Sequence, residues 1–401
     1  MLWLLAMTFL ALGVIHSEQS PKKKKEVNPE AFMNISEIIQ YAHYPNEEYE
    51  VLTDDGYYLP INRIPYGREN SDNTGRKPAV LVLPGIMTNG ASWVASMPNN
   101  SLGFVLADAG FDVWLANNRG CRWCRRHQNF SLDQQEFWDF SFHEMAMSDL
   151  PAIINFILAK TGQEQIYYIG YSQGTTIGFI AFSAMPELAQ KIKIFFALAP
   201  VYLLNNNKSP FGIFGYTPAN VMKAVLGSKQ YCVLPTNGSR IFVSKLCRKN
   251  IWDKICSKLV FVAGGIGKNN VNMSRTDVYA AHLIGCTSFK NILHWSQTVQ
   301  SGALIMFDYG SKNLEKYNQT TPPLYKIQDM KVPTVVWSGG KDIVASPKDI
   351  EFLLSVLRNV IYYKQIPEWF HYDFVFGLDA RQQMYDDLAQ MIKQIDLIPR
   401  K

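Results

Sequence analysis

Two hydrophobic rhythms alternate along this chain. "PAVLVLPG" is apolar at every position from Ala79 to Leu83, which predicts a strand buried on both faces. "SLGFVLADAG" then spaces its apolar residues as a helix does and stops at Gly110, and "FDVWLANN" predicts the next strand. The alternation continues through "SDLPAIINFILAKTG", a predicted helix with Ser148 as N-cap, Pro151 in its first turn and Gly162 at its end. "QIYYIGYS", a helix from Gly174 through Ala184, and "IKIFFALAP" follow. Ahead of them, "EYEVLT" and "YYLPINRI" flank Asp54-Asp55-Gly56 as a hairpin. Strands without a polar face, separated by helices, predict an α/β fold with a mainly parallel sheet covered on both sides.

The rhythm breaks from about 201 to 325, where short apolar runs lie among Asn, Gly and Pro. It resumes at "VPTVVWSGGKD", a helix over Pro347 to Leu357, "NVIYYKQIP" and a last helix from about Asp379 to Ile395. The organisation expected is a core over 18–200 and 326–401, with a cap and lid insertion at 201–325. Residues 1–17 read as a signal peptide, with an apolar stretch from Leu2 to Ile15 that is short for a membrane span. No later stretch predicts a transmembrane segment.

Composition changes this picture little. With 47% hydrophobic and 18% charged residues, the chain can bury a large core, and a net charge of +5 over 401 residues argues against nucleic-acid binding. A secretory route gives weight to the Asn-x-Ser/Thr glycosylation candidates Asn34, Asn99, Asn129, Asn237, Asn272 and Asn318. Among six cysteines, Cys247 and Cys256 flank a stretch of helical periodicity that would bring them close, although connectivity stays open. Cys121 and Cys124 form a C-x-x-C for which no second pair of zinc ligands is visible, so no metal is expected. A local disulfide or two unpaired thiols there are preferred to a redox dithiol.

Candidate chemistry centres on Gly170-Tyr171-Ser172-Gln173-Gly174, which lies between a predicted strand and a predicted helix. That context makes a sharp turn that would lift Ser172 from the sheet edge as a nucleophile. A serine hydroxyl needs a base, and the base an orienting acid, in chain order serine, acid, histidine. His371 lies between the last predicted strand and helix, and is preferred to His282 and His294 inside the insertion. Asp342 follows a strand directly, and is preferred to Asp373, which is too near His371 in sequence to orient its ring. The backbone amides of Gln173 and Ile86 are the expected oxyanion hole, with Gly85 permitting close approach.

The segments "NPEAFMNISEIIQYAHYPNEEYEVLTDDGY", "EFWDFSFHEMAMSDLPAIINFI", "GYSQGTTIGFIAFS", "RTDVYAAH", "LHWSQTVQSG" and "GGKDIVASP" resemble the acid lipase family of gastric and lysosomal lipases, in collinear order. The resemblance implies an α/β-hydrolase fold and a lipase without metal or cofactor, acting on neutral-lipid substrate at a lipid–water interface, secreted or lysosomal. It puts Ser172, Asp342 and His371 on the catalytic triad, Ile86 and Gln173 on the oxyanion hole, and Cys247 with Cys256 on the family disulfide. The chain departs from the family pattern at Pro84-Gly85, where His-Gly is usual, at Tyr171, where most members have histidine, and at "NRGC", where "SRGN" is usual. The alternative on the same resemblance is a catalytically weak or inactive member that binds lipid.

Overall fold

The computed structural model, which describes residues 27–69, 75–234, 236–247, 261–262, 264–267, 269–283 and 285–397, resolves the apolar runs into one central sheet. Its strands are β1 (Glu47–Leu52), β2 (Tyr57–Ile64), β3 (Ala79–Leu83), β4 (Asp112–Leu115), β5 (Arg126–His127), β6 (Ile166–Tyr171) and β7 (Ile192–Leu198). After β8 (Gln230–Cys232) and β9 (Cys286–Ser288), which form a separate two-stranded ribbon, the sheet is completed by β10 (Thr334–Gly339) and β11 (Val360–Ile366). The order is β1-β2-β4-β3-β6-β7-β10-β11, with β5 paired to β2. β1, β2 and β4 pair antiparallel, and the pairings from β4 to β11 are parallel.

The unbroken apolar runs follow from burial on both faces. Along β3, Val80 and Val82 enter one core cluster while Ala79, Leu81 and Leu83 enter the other, and β6 divides Tyr167 and Ile169 from Ile166 and Tyr168 in the same way. β11, at the edge, alternates half-buried with exposed positions instead. Parallel registers pair Leu83 with Gly170, Tyr171 with Leu198, and Gly339 with Ile366. The loops after β3, β6, β10 and β11 therefore all leave the same edge of the sheet, where open α/β folds build their sites.

One predicted helix start is wrong. Ser148 lies inside a π turn (Met145–Asp149) between the short helix Phe142–Glu144 and the helix Leu150–Thr161, so it caps nothing. The start is Ser141, whose hydroxyl accepts from the His143 amide while the Glu144 carboxylate accepts from the Ser141 amide. Pro151 explains the wide turn, since it lacks the amide that would close the next α-helical bond. Gly162 ends the helix in a left-handed conformation, as expected.

Between β7 and β10 the chain leaves the sheet and forms short helices, among them Ala219–Leu226, Asn237–Cys247, Thr276–His282 and Phe289–Ser301, with the β8–β9 ribbon. Cys232 and Cys286 face each other in that ribbon and are joined by a disulfide that the sequence did not disclose. Cys247 is also disulfide-bonded, but Cys256, its expected partner, lies outside the described residues, as does the expected signal peptide at 1–17. Cys121 and Cys124 are buried and not bridged.

Candidate active site

β6 ends in a turn too sharp for ordinary backbone. Ser172 adopts φ 53° and ψ −122°, a strained conformation for a residue with a side chain, and the helix Gln173–Ala184 starts immediately after it. The turn is held by the Ser172 amide donating to the Leu198 carbonyl at 3.1 Å and by the Thr175 hydroxyl donating to the Ser172 carbonyl at 2.6 Å. Two glycines let the β3 loop press against it. A Cβ on Gly85 would fall 2.9 Å from Ser172 Cβ, and one on Gly174 would fall 2.6 Å from the Leu83 carbonyl oxygen. Ile86 and Gln173, the residues next in sequence, thus flank this contact. The loop is tied down by Asn118 Nδ2, which donates to the Gly85 carbonyl at 3.0 Å and lies 3.4 Å from that of Pro84.

Ser172 Oγ lies 2.8 Å from His371 Nε2, and His371 Nδ1 lies 2.8 Å from Asp342 Oδ2. All three residues are buried. The other oxygen of Asp342 accepts from the amides of Val344 and Ala345 at 2.8 and 2.9 Å, which fixes the carboxylate at the start of the loop after β10. His371 is held from its backbone, its amide donating to the Gly264 carbonyl at 3.1 Å and its carbonyl accepting from the Tyr171 hydroxyl at 2.8 Å. Burial raises the Tyr171 phenol well above its ordinary value, so it stays a donor. Tyr171, one of the departures from the family pattern, thereby joins the β6 turn to the loop that carries His371.

The competing groups are occupied elsewhere. Asp373 accepts from the amides of Gly267 and Phe370 and from Asn270 Nδ2, and burial pushes its carboxyl up to about 6 despite these donors. His282 Nε2 meets the Glu30 carbonyl at 2.8 Å, and His294 sits between Ser141 Oγ at 2.9 Å and the Ile305 carbonyl at 2.8 Å.

A further layer of the site has no simple signal in the sequence. Gln173 turns its side chain into the helix Phe289–Ser301, where Oε1 accepts from Asn291 Nδ2 at 3.0 Å and from Trp295 Nε1 at 2.8 Å. The i, i+4 spacing of Asn291 and Trp295 puts them on one helix face, yet only the fold brings that face to the serine. Behind the loop that carries Asn118, Arg119 is fully buried between Asp149 and Asp55, with its guanidinium 4.0 Å from the centre of the Tyr57 ring.

Comparison with known proteins agrees with this architecture. Residues 78–378 match the family model described as the alpha/beta hydrolase fold, and residues 35–97 match a partial alpha/beta-hydrolase lipase region. Lipase member M of Homo sapiens is 53% identical over 98% of this chain and 93% of its own length. The human lysosomal acid lipase/cholesteryl ester hydrolase is 48% identical, covering 96% of this chain and 97% of its own. Human gastric triacylglycerol lipase is 46% identical, with 98% and 99% covered. An α/β-hydrolase fold protein from Nakamurella multipartita shares the fold at a TM-score of 0.51 and 13% identity, over 86% of this chain and 99% of that one. Taken with the strand order and the turn at Ser172, these similarities make the chain a member of the acid lipase family of α/β hydrolases.

Proposed function

We propose that this protein is a secretory-pathway serine lipase that hydrolyses carboxylic esters of neutral lipids, acylglycerols or sterol esters, to free fatty acids. The observation that carries the reading is the hydrogen-bonded series from Ser172 through His371 to Asp342, with 2.8 Å at each link. Ser172 Oγ attacks the ester carbonyl as His371 Nε2 takes its proton, and Asp342 holds the ring with Nδ1–H toward the carboxylate. The amides of Ile86 and Gln173 receive the oxyanion, His371 protonates the leaving alcohol, and a water activated by His371 then releases the fatty acid.

Residues 201–325 form the cap in this reading. Ile213, Tyr216, Val225 and Phe242 within it are 65%, 76%, 69% and 60% exposed, which supports contact with a lipid–water interface. Among the described residues no helix is long and apolar enough to cross a membrane. Asn99, Asn129 and Asn318 are exposed and suited to glycosylation. Asn34 and Asn272 instead use their side-chain oxygens to cap local turns, and Asn237 begins the helix Asn237–Cys247.

The test is release of fatty acid from short- and long-chain triacylglycerols and a cholesteryl ester by the secreted protein, across acid to neutral pH, beside Ser172→Ala. The variant should lose activity by about 10⁴-fold or more at unchanged thermal stability. Equal activity in the two proteins would reject Ser172 as the nucleophile, and an inactive but folded wild type would reject the lipase.

A further inference from the structure

The loop that ties down Gly85 carries chemistry that ester hydrolysis does not use. Cys121 and Cys124 are 1% and 0% exposed and not bridged. Their separation is set by backbone hydrogen bonds. The Cys121 amide donates to the Asn118 carbonyl at 3.2 Å, the Cys124 amide to the Cys121 carbonyl at 3.2 Å, and the Gly120 amide to the Cys124 carbonyl at 2.9 Å. The second of these closes Cys121–Cys124 as a β-turn, whose end Cα atoms lie within about 7 Å, which overlaps the roughly 4.4–6.8 Å that a disulfide spans.

The surroundings favour a thiolate at one end of the turn. The Trp123 amide donates to Cys121 Sγ at 3.4 Å, and the guanidinium groups of Arg122, Arg125 and Arg240 all act on Cys121 through their charge. Arg125 Nη2 also lies 3.2 Å from Cys286 Sγ and 3.6 Å from Cys232 Sγ, so the turn sits beside the existing disulfide. Burial pushes the Cys121 thiol up, but the hydrogen bond with Cys124, the amides of Trp123 and Cys124 and the charge of Arg125 bring it below the ordinary range. Burial, with the hydrogen bond to Cys121, drives Cys124 well above it. Cys121, which accepts the Trp123 amide, is thus the sulfur better placed to carry negative charge.

We propose that Cys121 and Cys124 are an oxidisable dithiol that closes a local bridge by exchange with a small-molecule disulfide such as oxidised glutathione. The Cys121 thiolate attacks one sulfur of the reagent, forming a mixed disulfide and expelling one small thiolate. Cys124 passes its proton to that thiolate and attacks Cys121 Sγ, expelling the second small thiolate, which takes up the proton released when Cys121 ionised. Two protein thiols are oxidised to one disulfide, and one small disulfide is reduced to two thiols. Because both sulfurs are buried, exchange requires the turn to swing outward at Arg122 and Trp123, its half-buried members. The bridge would stiffen the segment that begins at Asn118, and with it the support of Gly85.

The test equilibrates the full-length secreted protein in glutathione mixtures from reducing to oxidising, alkylates the remaining thiols, and maps them by mass spectrometry. Alkylation of Cys121 and Cys124 should disappear together at one midpoint, with appearance of a peptide pair joined through them. A bridge already present on isolation and opened by the reducing mixtures supports the proposal equally. Cys124→Ser should trap glutathione on Cys121, whereas in Cys121→Ser capture at Cys124 should be at least roughly tenfold slower. The wild-type measurement stands alone if either variant fails to fold. Both thiols remaining alkylatable in the oxidising mixtures, pairing of either with Cys232 or Cys286, or faster capture at Cys124 would overturn it.

Discussion

At the scale of single residues, the clearest feature is how much of the site hangs on Tyr171. The hydrogen-bonded series needs His371 to keep its ring between Ser172 and Asp342, and the Tyr171 hydroxyl grips the carbonyl of His371 at 2.8 Å while the two rings lie 5.1 Å apart. Tyr171→Phe keeps the ring and removes the donor from a buried carbonyl, a change that costs about 1–3 kcal/mol. The expected result is a lowered melting temperature and a kcat reduced several-fold, with KM nearly unchanged because substrate contacts remain. A circular-dichroism melt and a short-chain ester assay check both, and an unchanged melt would show that the bond carries no weight. Ser172, Asp342 and His371 were legible because each follows a recognisable strand at one sheet edge. The bond from Tyr171 was not, since its acceptor lies 200 residues further along the chain.

At the scale of elements, the sheet could be read and the stretch between β7 and β10 could not, for one physical reason. Strands buried on both faces, such as β3 and β6, leave continuous apolar runs, and their order fixes which loops share an edge. Short helices and a three-residue ribbon take their structure from what they pack against, so 201–325 shows no period of its own. The same dependence hid the contact between Phe289–Ser301 and the turn at Ser172. Asn291 is fixed at both ends, its Oδ1 accepting from the Phe142 amide at 2.8 Å while Nδ2 reaches Gln173, and Trp295 adds the second donor to Gln173. If Gln173 supplies an oxyanion amide, this helix sets where that amide points. Trp295→Phe removes one donor and leaves the ring, so kcat should fall by roughly tenfold, with KM changed less than twofold. Steady-state kinetics on a soluble ester give the split, and a rise in KM alone would assign Trp295 to substrate binding instead.

At the scale of the whole molecule, buried ionisable groups decide how the fold responds to acid, and they pull in opposite directions. Burial pushes His282 down to about 4, with Arg122, Arg240 and Arg275 adding to the shift, and pushes His294 down to about 3. An unfolded histidine takes its proton near about 6.5, so each contributes stability that is complete above that pH and is lost as pH falls toward the folded value. Asp149 and Asp373 do the reverse. Burial raises both to about 6, against Arg119 for the first and against its amide donors for the second, so the folded chain holds protons that the unfolded chain releases. Their contribution grows as pH falls from about 6 toward the unfolded value of about 3.9. The two pairs oppose each other between pH 6.5 and 4.5, and one further group stands on each side, since burial pushes His143 down and Asp112 up. Below that range Glu47, Asp55 and Glu144, whose partners hold them below the ordinary carboxylate range, lose their stabilisation as they protonate. The melting temperature should therefore stay almost level from pH 7 to about 4.5 and then fall. His282→Gln, which can still donate to the Glu30 carbonyl, removes one of the two histidines and leaves the carboxyl side the stronger. Its melting temperature should rise as pH drops from 7 to 5 while that of the wild type stays flat, and calorimetry on the two proteins at those pH values reads the difference. A parallel decline in both proteins over that interval would mean that the buried histidines do not govern the acid response.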